Sequence, residues 1–136
     1  MKPNELNQGR RWLEQADRDL DDAKFVLSGN RFNLVCFLAQ QSAEKALKGY
    51  LYFKGADEIW GHSVAELCED ATHFDDGFKS LKGKAASLDK YYIPTRYPNG
   101  LPGGIPAEAF DEHDAERALA LAQSVLDFVK ERFPEG

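Results

Sequence analysis

The chain has 136 residues, 43% hydrophobic and 29% charged, with a net charge of −6; that is the size and make-up of one ordinary globular domain. No apolar run approaches the ~20 residues that span a bilayer. The opening "MKPNELNQGRRWLEQ" holds no apolar signal-peptide core, so a cytoplasmic protein without a membrane partner is expected, with residues 1–136 forming one domain.

The first helix is expected from Asn4 to Leu27. Leu6, Leu13, Leu20 and Leu27 recur every seven residues with Ala16 and Ala23 between them, which is a packing seam. Ser28, Gly29 and Asn30 stop it, because Gly and Asn suit the left-handed C-terminal position. The second helix is expected from Phe32 to Lys54, with a broad apolar stripe from Val35 to Phe53. Small residues at Ala39, Ser42, Ala46 and Gly49 let a neighbouring helix approach closely.

A third helix is read from "HSVAELCEDATHF", with Ser63 as N-cap and Glu66 completing a capping box. A fourth is expected from about Gly77 to Tyr92, on Phe78, Leu81, Ala85, Leu88 and Tyr92. The last runs from about Asp111 to Phe133, with its buried face from Ala115 through Val129 to Phe133. No strand-like alternation, repeat or linker interrupts this pattern. An all-α, antiparallel bundle is the economical packing solution.

Cys36 and Cys68 lie far apart among apolar helical residues and read as reduced core thiols. No zinc-type ligand spacing, HExxH or phosphate loop is present. The acidic balance disfavours a general nucleic-acid coat, which needs clustered Lys and Arg. A local anion site is different. Residues 79–96 carry Lys79, Lys82, Lys84, Lys90 and Arg96 against Asp89 alone.

Two stretches carry chemistry. On the second helix Gln41, Glu44 and Lys48 share a face at 3–4 spacing, with Gln40 and Lys45 beside it. Spacing alone reads as a solvated face, but Phe37, Ala43 and Leu47 surround these groups, as around a partner surface or a hydrogen-bonded network. The other stretch is "YYIPTRYPNGLPGGIP", residues 91–106. Pro94 and Pro98 restrict the chain on either side of Thr95, Arg96 and Tyr97. A stiff segment presents Arg96 at low entropic cost, and arginine suits bidentate phosphate or carboxylate binding. Tyr92 and Tyr97 offer rings for stacking. The plainer reading is a proline-rich cap with Arg96 paired to an acid of its own chain. His62, beside Trp60 and Gly61, reads as a capping or packing histidine. His73 and His113 read as exposed.

The blocks "WLEQADRDLDDAKFVL" (12–27), "FLAQQSAEKALKGYL" (37–51), "HSVAEL" (62–67), "YIPTRYP" (92–98) and "DAERALALAQSVLDFV" (114–129) resemble the HEPN domain, the higher eukaryotes and prokaryotes nucleotide-binding family, over nearly the whole chain. The resemblance implies an up-and-down four-helix bundle with a short extra helix, commonly a homodimer. It implies a minimal nucleotidyltransferase partner in a two-component or toxin–antitoxin pair, and no cofactor beyond a nucleotide ligand such as ATP. Many HEPN proteins are metal-independent endoribonucleases whose R-x(4–6)-H motif brings Arg and His together across a dimer cleft. Here no histidine lies five to seven positions after any arginine. Three readings follow. In the first, a non-catalytic module binds nucleotide or partner through Gln41, Glu44, Lys45, Lys48, Tyr92, Thr95, Arg96 and Tyr97. In the second, an RNA-cleaving enzyme uses His62 as general acid or base and Arg96 for the phosphorane charge. In the third, the chain is purely a structural dimerisation domain.

Overall fold

The long seams of the first and second helices pack against each other, and the rest of the molecule is built around the second. The computed structural model describes residues 3–135; Met1, Lys2 and Gly136, the ends of the one-domain span, lie outside the described residues. The helices are α1 (Pro3–Leu27), α2 (Phe32–Phe53), α3 (Val64–Thr72), α4 (Phe78–Ala85), α5 (Pro106–Ala109) and α6 (Glu112–Lys130). Two 3-10 turns, Ala86–Tyr91 and Pro98–Gly100, lie between α4 and α5. Among the described residues there is no strand.

Helix α2 packs on α1, α3 and α6. Its buried residues, among them Val35, Cys36, Ala43, Leu47, Tyr50 and Leu51, cover more than half of the cylinder and leave a half-open stripe at Gln41, Lys45 and Lys48. So broad a buried face lets one helix pack against several neighbours at once. The expected small-residue stripe is used where α1 and α2 cross. A Cβ built on Gly49 would stand 2.8 Å from the Gly9 carbonyl oxygen, and one on Gly9 would stand 2.7 Å from that of Gly49. Asn30 takes the left-handed conformation, φ 59, between α1 and α2, as its position after Ser28 and Gly29 leads one to expect.

Three local expectations are corrected. The fourth helix does not run to Tyr92. It winds down to a 3-10 turn at Ala86, and Asp89 on that turn reaches the start of α3. The capping box at Ser63 and Glu66 is only half formed. Ser63 Oγ accepts from the Glu66 N–H (3.1 Å). The return bond from Glu66 is not formed, and Asp89 serves other donors of the same turn, accepting from Ser63 Oγ (2.6 Å), Val64 N–H (2.6 Å) and Ala65 N–H (3.3 Å). A complete box instead opens α6, where Asp111 and Asp114 cap each other's N–H groups; those bonds hold the Asp111 carboxyl below its ordinary range. Finally, α5 lies inside the segment read as a loop, with Pro106 at its first turn, where a missing N–H costs nothing.

Cys36 and Cys68 are free and fully buried. Burial pushes both thiols up to about 12, so the reactive thiolate is scarce at neutral pH. A thiol-specific disulfide reagent at pH 8 is therefore expected to label neither cysteine in the native protein and both after denaturation. Rapid native labelling would contradict the burial.

Candidate functional site

The polar stripe of α2 is a hydrogen-bonded network, not a solvated face. Glu44 is 3% exposed and its carboxylate gathers three donors. Lys48 Nζ lies 3.1 Å from Oε2, His62 Nδ1 3.1 Å from Oε1, and Gln41 Nε2 3.3 Å from Oε1. The same Gln41 amide donates to Gln40 Oε1 (2.8 Å), and Gln40 Nε2 donates to the His62 carbonyl (2.7 Å). Each polar group that α2 buries here has a partner, as burial requires. A carboxylate only accepts, so the proton shared with Glu44 sits on His62 Nδ1 and leaves Nε2 as the outward nitrogen.

Of the two roles expected for His62, capping and packing, it takes the second, since Ser63 is the N-cap of α3. Its side chain is 55% exposed and its ring stacks on Tyr92 at 4.6 Å and 17°. Tyr92 in turn stacks on Phe37 (6.2 Å, 30°). The guanidinium of Arg96 lies over the other end of this row, 4.6 Å from the Phe37 ring centre and 5.7 Å from that of Tyr97. A continuous row of contacts therefore runs Arg96, Phe37, Tyr92, His62, Glu44, open to solvent at Arg96 and His62 and buried at Glu44. The loop carrying Arg96 is pinned. Arg96 N–H and Tyr97 N–H both donate to the Ile93 carbonyl (3.0 and 3.1 Å), and Asn33 Nδ2 donates to the Thr95 carbonyl (3.0 Å). The Thr95 hydroxyl donates to the Tyr91 carbonyl. Gly100 closes the loop, because a Cβ there would stand 3.0 Å from Pro94 Cα.

The expectation that Arg96 pairs with an acid of its own chain fails. Among the described residues its guanidinium has no carboxylate or hydrogen-bond partner, only the two rings. Packing on a ring face orients the guanidinium and leaves its N–H fork available.

The eight residues read together as a binding surface divide into three sets. Gln41, Glu44, Lys48, Tyr92, Arg96 and Tyr97 belong to the contacts just described. Thr95 is 1% exposed and serves the loop, not a ligand. Lys45 turns to the α1 side, where its Nζ meets Asp19 Oδ2 (2.5 Å), and Asp19 also accepts from Gln15 Nε2 (2.8 Å). His62 and Arg96, the pair of the RNA-cleaving reading, are joined only in series through Tyr92 and Phe37. Phe37 and Asn33 went unread because an aromatic and an amide on an apolar helix look like core and cap; only the loop folding back over α2 shows otherwise.

A second feature lies further along the same face of α2, toward α1. Trp12 of α1 and Tyr52 of α2 stack at 5.3 Å and 20°, at the edge of an open groove of about 750 Å³ bordered by Arg11, Arg18 and Lys45. Lys48 connects the two regions, with Nζ 5.9 Å from the Trp12 ring centre. No helix of the described residues is long and apolar enough to cross a membrane.

Comparison with known proteins bears on the family and the fold. The family model described as the HEPN domain matches residues 10–132. The protein named "Putative toxin MJ1304" of Methanocaldococcus jannaschii is 30% identical, over 90% of this chain and 88% of its own length. The crystal structure of TT1696 from Thermus thermophilus superposes with a TM-score of 0.86 at 44% identity, covering 93% of this chain and 98% of that one. ST0689, described as an archaeal HEPN homologue, superposes with a TM-score of 0.78 at 36% identity, covering 98% and 100%.

Proposed function

This chain belongs to the HEPN domain family, and from that premise we propose that it is the non-catalytic binding member of a toxin–antitoxin-type pair, acting as a homodimer with a minimal nucleotidyltransferase. The relative named as a toxin supports the type of role. The observation that carries the binding surface is Arg96: an exposed arginine, oriented on the Phe37 ring, held by a pinned loop and matched to no acid among the described residues. Its free fork fits a phosphate oxygen pair or a partner's carboxylate. Tyr92, Tyr97 and His62 supply rings beside it for a base, as in ATP, or for an apolar edge of the partner.

One observation favours a second reading. The Glu44–His62 bond is the acid–imidazole arrangement that orients a general base, and it leaves Nε2 outward. An RNA-cleaving site would then take His62 from one subunit and Arg96 from the other. Loss of RNA cleavage in His62→Ala, with cleavage present in the wild type, is the result that favours it.

The test of the first reading is native mass spectrometry of the protein from its own host, with Arg96→Ala and Arg96→Lys alongside. The wild type is expected to carry a nucleotide or a nucleotidyltransferase. Arg96→Ala is expected to lose it, with affinity lower by roughly tenfold or more, and Arg96→Lys to keep part of it, having the charge without the fork. Equal occupancy in the wild type and Arg96→Ala would remove Arg96 from the site.

A further inference from the structure

Phe25 is 78% exposed, more than any other large apolar residue among those described, and nothing in the surface around Arg96 uses it. It stands on an exposed line along α1: Gln8, Arg11, Gln15, Arg18, Asp22 and Phe25. The line keeps the alternating 3–4 spacing of a helix–helix seam, yet it faces away from the core formed by Ala16, Leu20 and Ala23. Four of its members, Gln8, Arg11, Gln15 and Arg18, border the open groove at Trp12 and Tyr52. Trp, Tyr and Arg are the side chains that dominate binding energy at protein interfaces, so this is an interface composition without an occupant.

We propose that the occupant is α1 of a second copy, lying antiparallel across the groove. The sequence of the line is complementary to itself in that direction. Placing Phe25 of the second copy opposite Gln8 brings it beside the Trp12–Tyr52 pair. The same register sets Arg11 opposite Asp22 of the second copy and Arg18 opposite Gln15, with Glu14 one position away as a carboxylate for Arg18. The two-fold symmetry repeats each contact. The parallel alternative is excluded by charge, since two-fold pairing would face Arg11 with Arg11 and Arg18 with Arg18. A polyanion fits less well, because Glu14 lines the groove and Asp22 lies 3.8 Å from Arg18.

This names a face for the homodimer of the reading above and rests on it only for the existence of a dimer. Sedimentation velocity of the full chain tests both parts separately. The wild type is expected to be a dimer. Phe25→Ser, Arg11→Glu and Asp22→Arg are each expected to weaken dimerisation by roughly tenfold or more. The double variant Arg11→Glu/Asp22→Arg is expected to recover it. That recovery can only report a contact between copies, because Arg11 and Asp22 of one helix are about 16 Å apart along its axis. All three positions are exposed, and unchanged circular dichroism confirms that the variants fold. A dimer indifferent to all three single variants would overturn the proposed face and leave the dimer standing. A monomeric wild type would overturn the dimer as well. Single losses without recovery in the double variant would overturn the antiparallel register.

Discussion

Gly9→Ala is expected to destabilise the protein by about 2 kcal/mol, although alanine is the better helix former. Two effects oppose each other. Alanine gains about 1 kcal/mol over glycine inside a helix. Against this, its Cβ would lie 2.7 Å from the Gly49 carbonyl oxygen and 2.7 Å from Phe53 Cβ, with Phe133 Cε2 at 3.1 Å. Two of those three atoms are backbone or Cβ, so relief requires α1 and α2 to move apart. Overpacking of that kind costs about 1–3 kcal/mol, occasionally more, and two 2.7 Å contacts with atoms fixed to the backbone place this case at the upper end, about 3 kcal/mol. The clash wins, and Tm should fall by roughly 5–10 °C. Gly83→Ala is the control. Gly83 lies on α4 with nothing within 4 Å of a new Cβ, so its variant should be neutral or slightly stabilised. Equal thermal melts for the two variants would mean that the glycine crossing does not hold α1 to α2.

That crossing was legible because its cause is local and periodic. Ala39, Ser42, Ala46 and Gly49 fall on one side of α2, and Leu6, Leu13 and Leu20 on one side of α1, so spacing alone marks both faces. The end of α4 was not legible for the opposite reason. Phe78, Leu81, Ala85 and Leu88 keep helical spacing, and nothing in the window shows that Asp89 is drawn to the N-terminus of α3, twenty-five residues earlier in the chain. The start of α3 meets the same neighbour, since Asp89 accepts from the Ser63 hydroxyl and from the first-turn Val64 and Ala65 N–H groups, a contact that the local pattern of Ser63 and Glu66 does not contain.

The candidate site divides along the same line. Arg96 and its rigid setting could be read from Pro94 and Pro98, because proline acts on its own backbone. The role of Thr95 could not, since its burial depends on the loop folding against Tyr91 and Asn33. Lys45 and Lys48 differ by three positions on one helix and read as one face. Tertiary packing separates them: Asp19 of α1 claims the first, and Glu44 keeps the second beside His62. The row from Arg96 through Phe37 and Tyr92 to His62 joins α2, the loop before α3 and the loop after the 3-10 turn, a conjunction that no single window contains.

Glu44 is where stability and site geometry meet, and Glu44→Ala should show both. As an exposed i,i+4 pair, Glu44 and Lys48 would be worth only a few tenths of a kcal/mol. They are not exposed: the side chains are 5% and 12% accessible. Removing one member of a buried pair strands the other, at about 3–5 kcal/mol when the remaining charge has no escape. Lys48 has a partial one, over the Trp12 ring at 5.9 Å, so about 2–4 kcal/mol is expected. Glu44→Gln keeps the shape and one acceptor, and should cost less than Glu44→Ala while still losing the charge opposite Lys48. The second readout is His62. With the carboxylate present, Nδ1 carries the proton; without it, the ring keeps only its stack on Tyr92 and the tautomer is released. Nitrogen-15 shifts of the imidazole should therefore show the Nδ1–H form in the wild type and a mixture in Glu44→Ala. A destabilised variant with an unchanged His62 tautomer would assign Glu44 to the bundle alone. A changed tautomer would tie the buried carboxylate to the protonation of the exposed His62 ring.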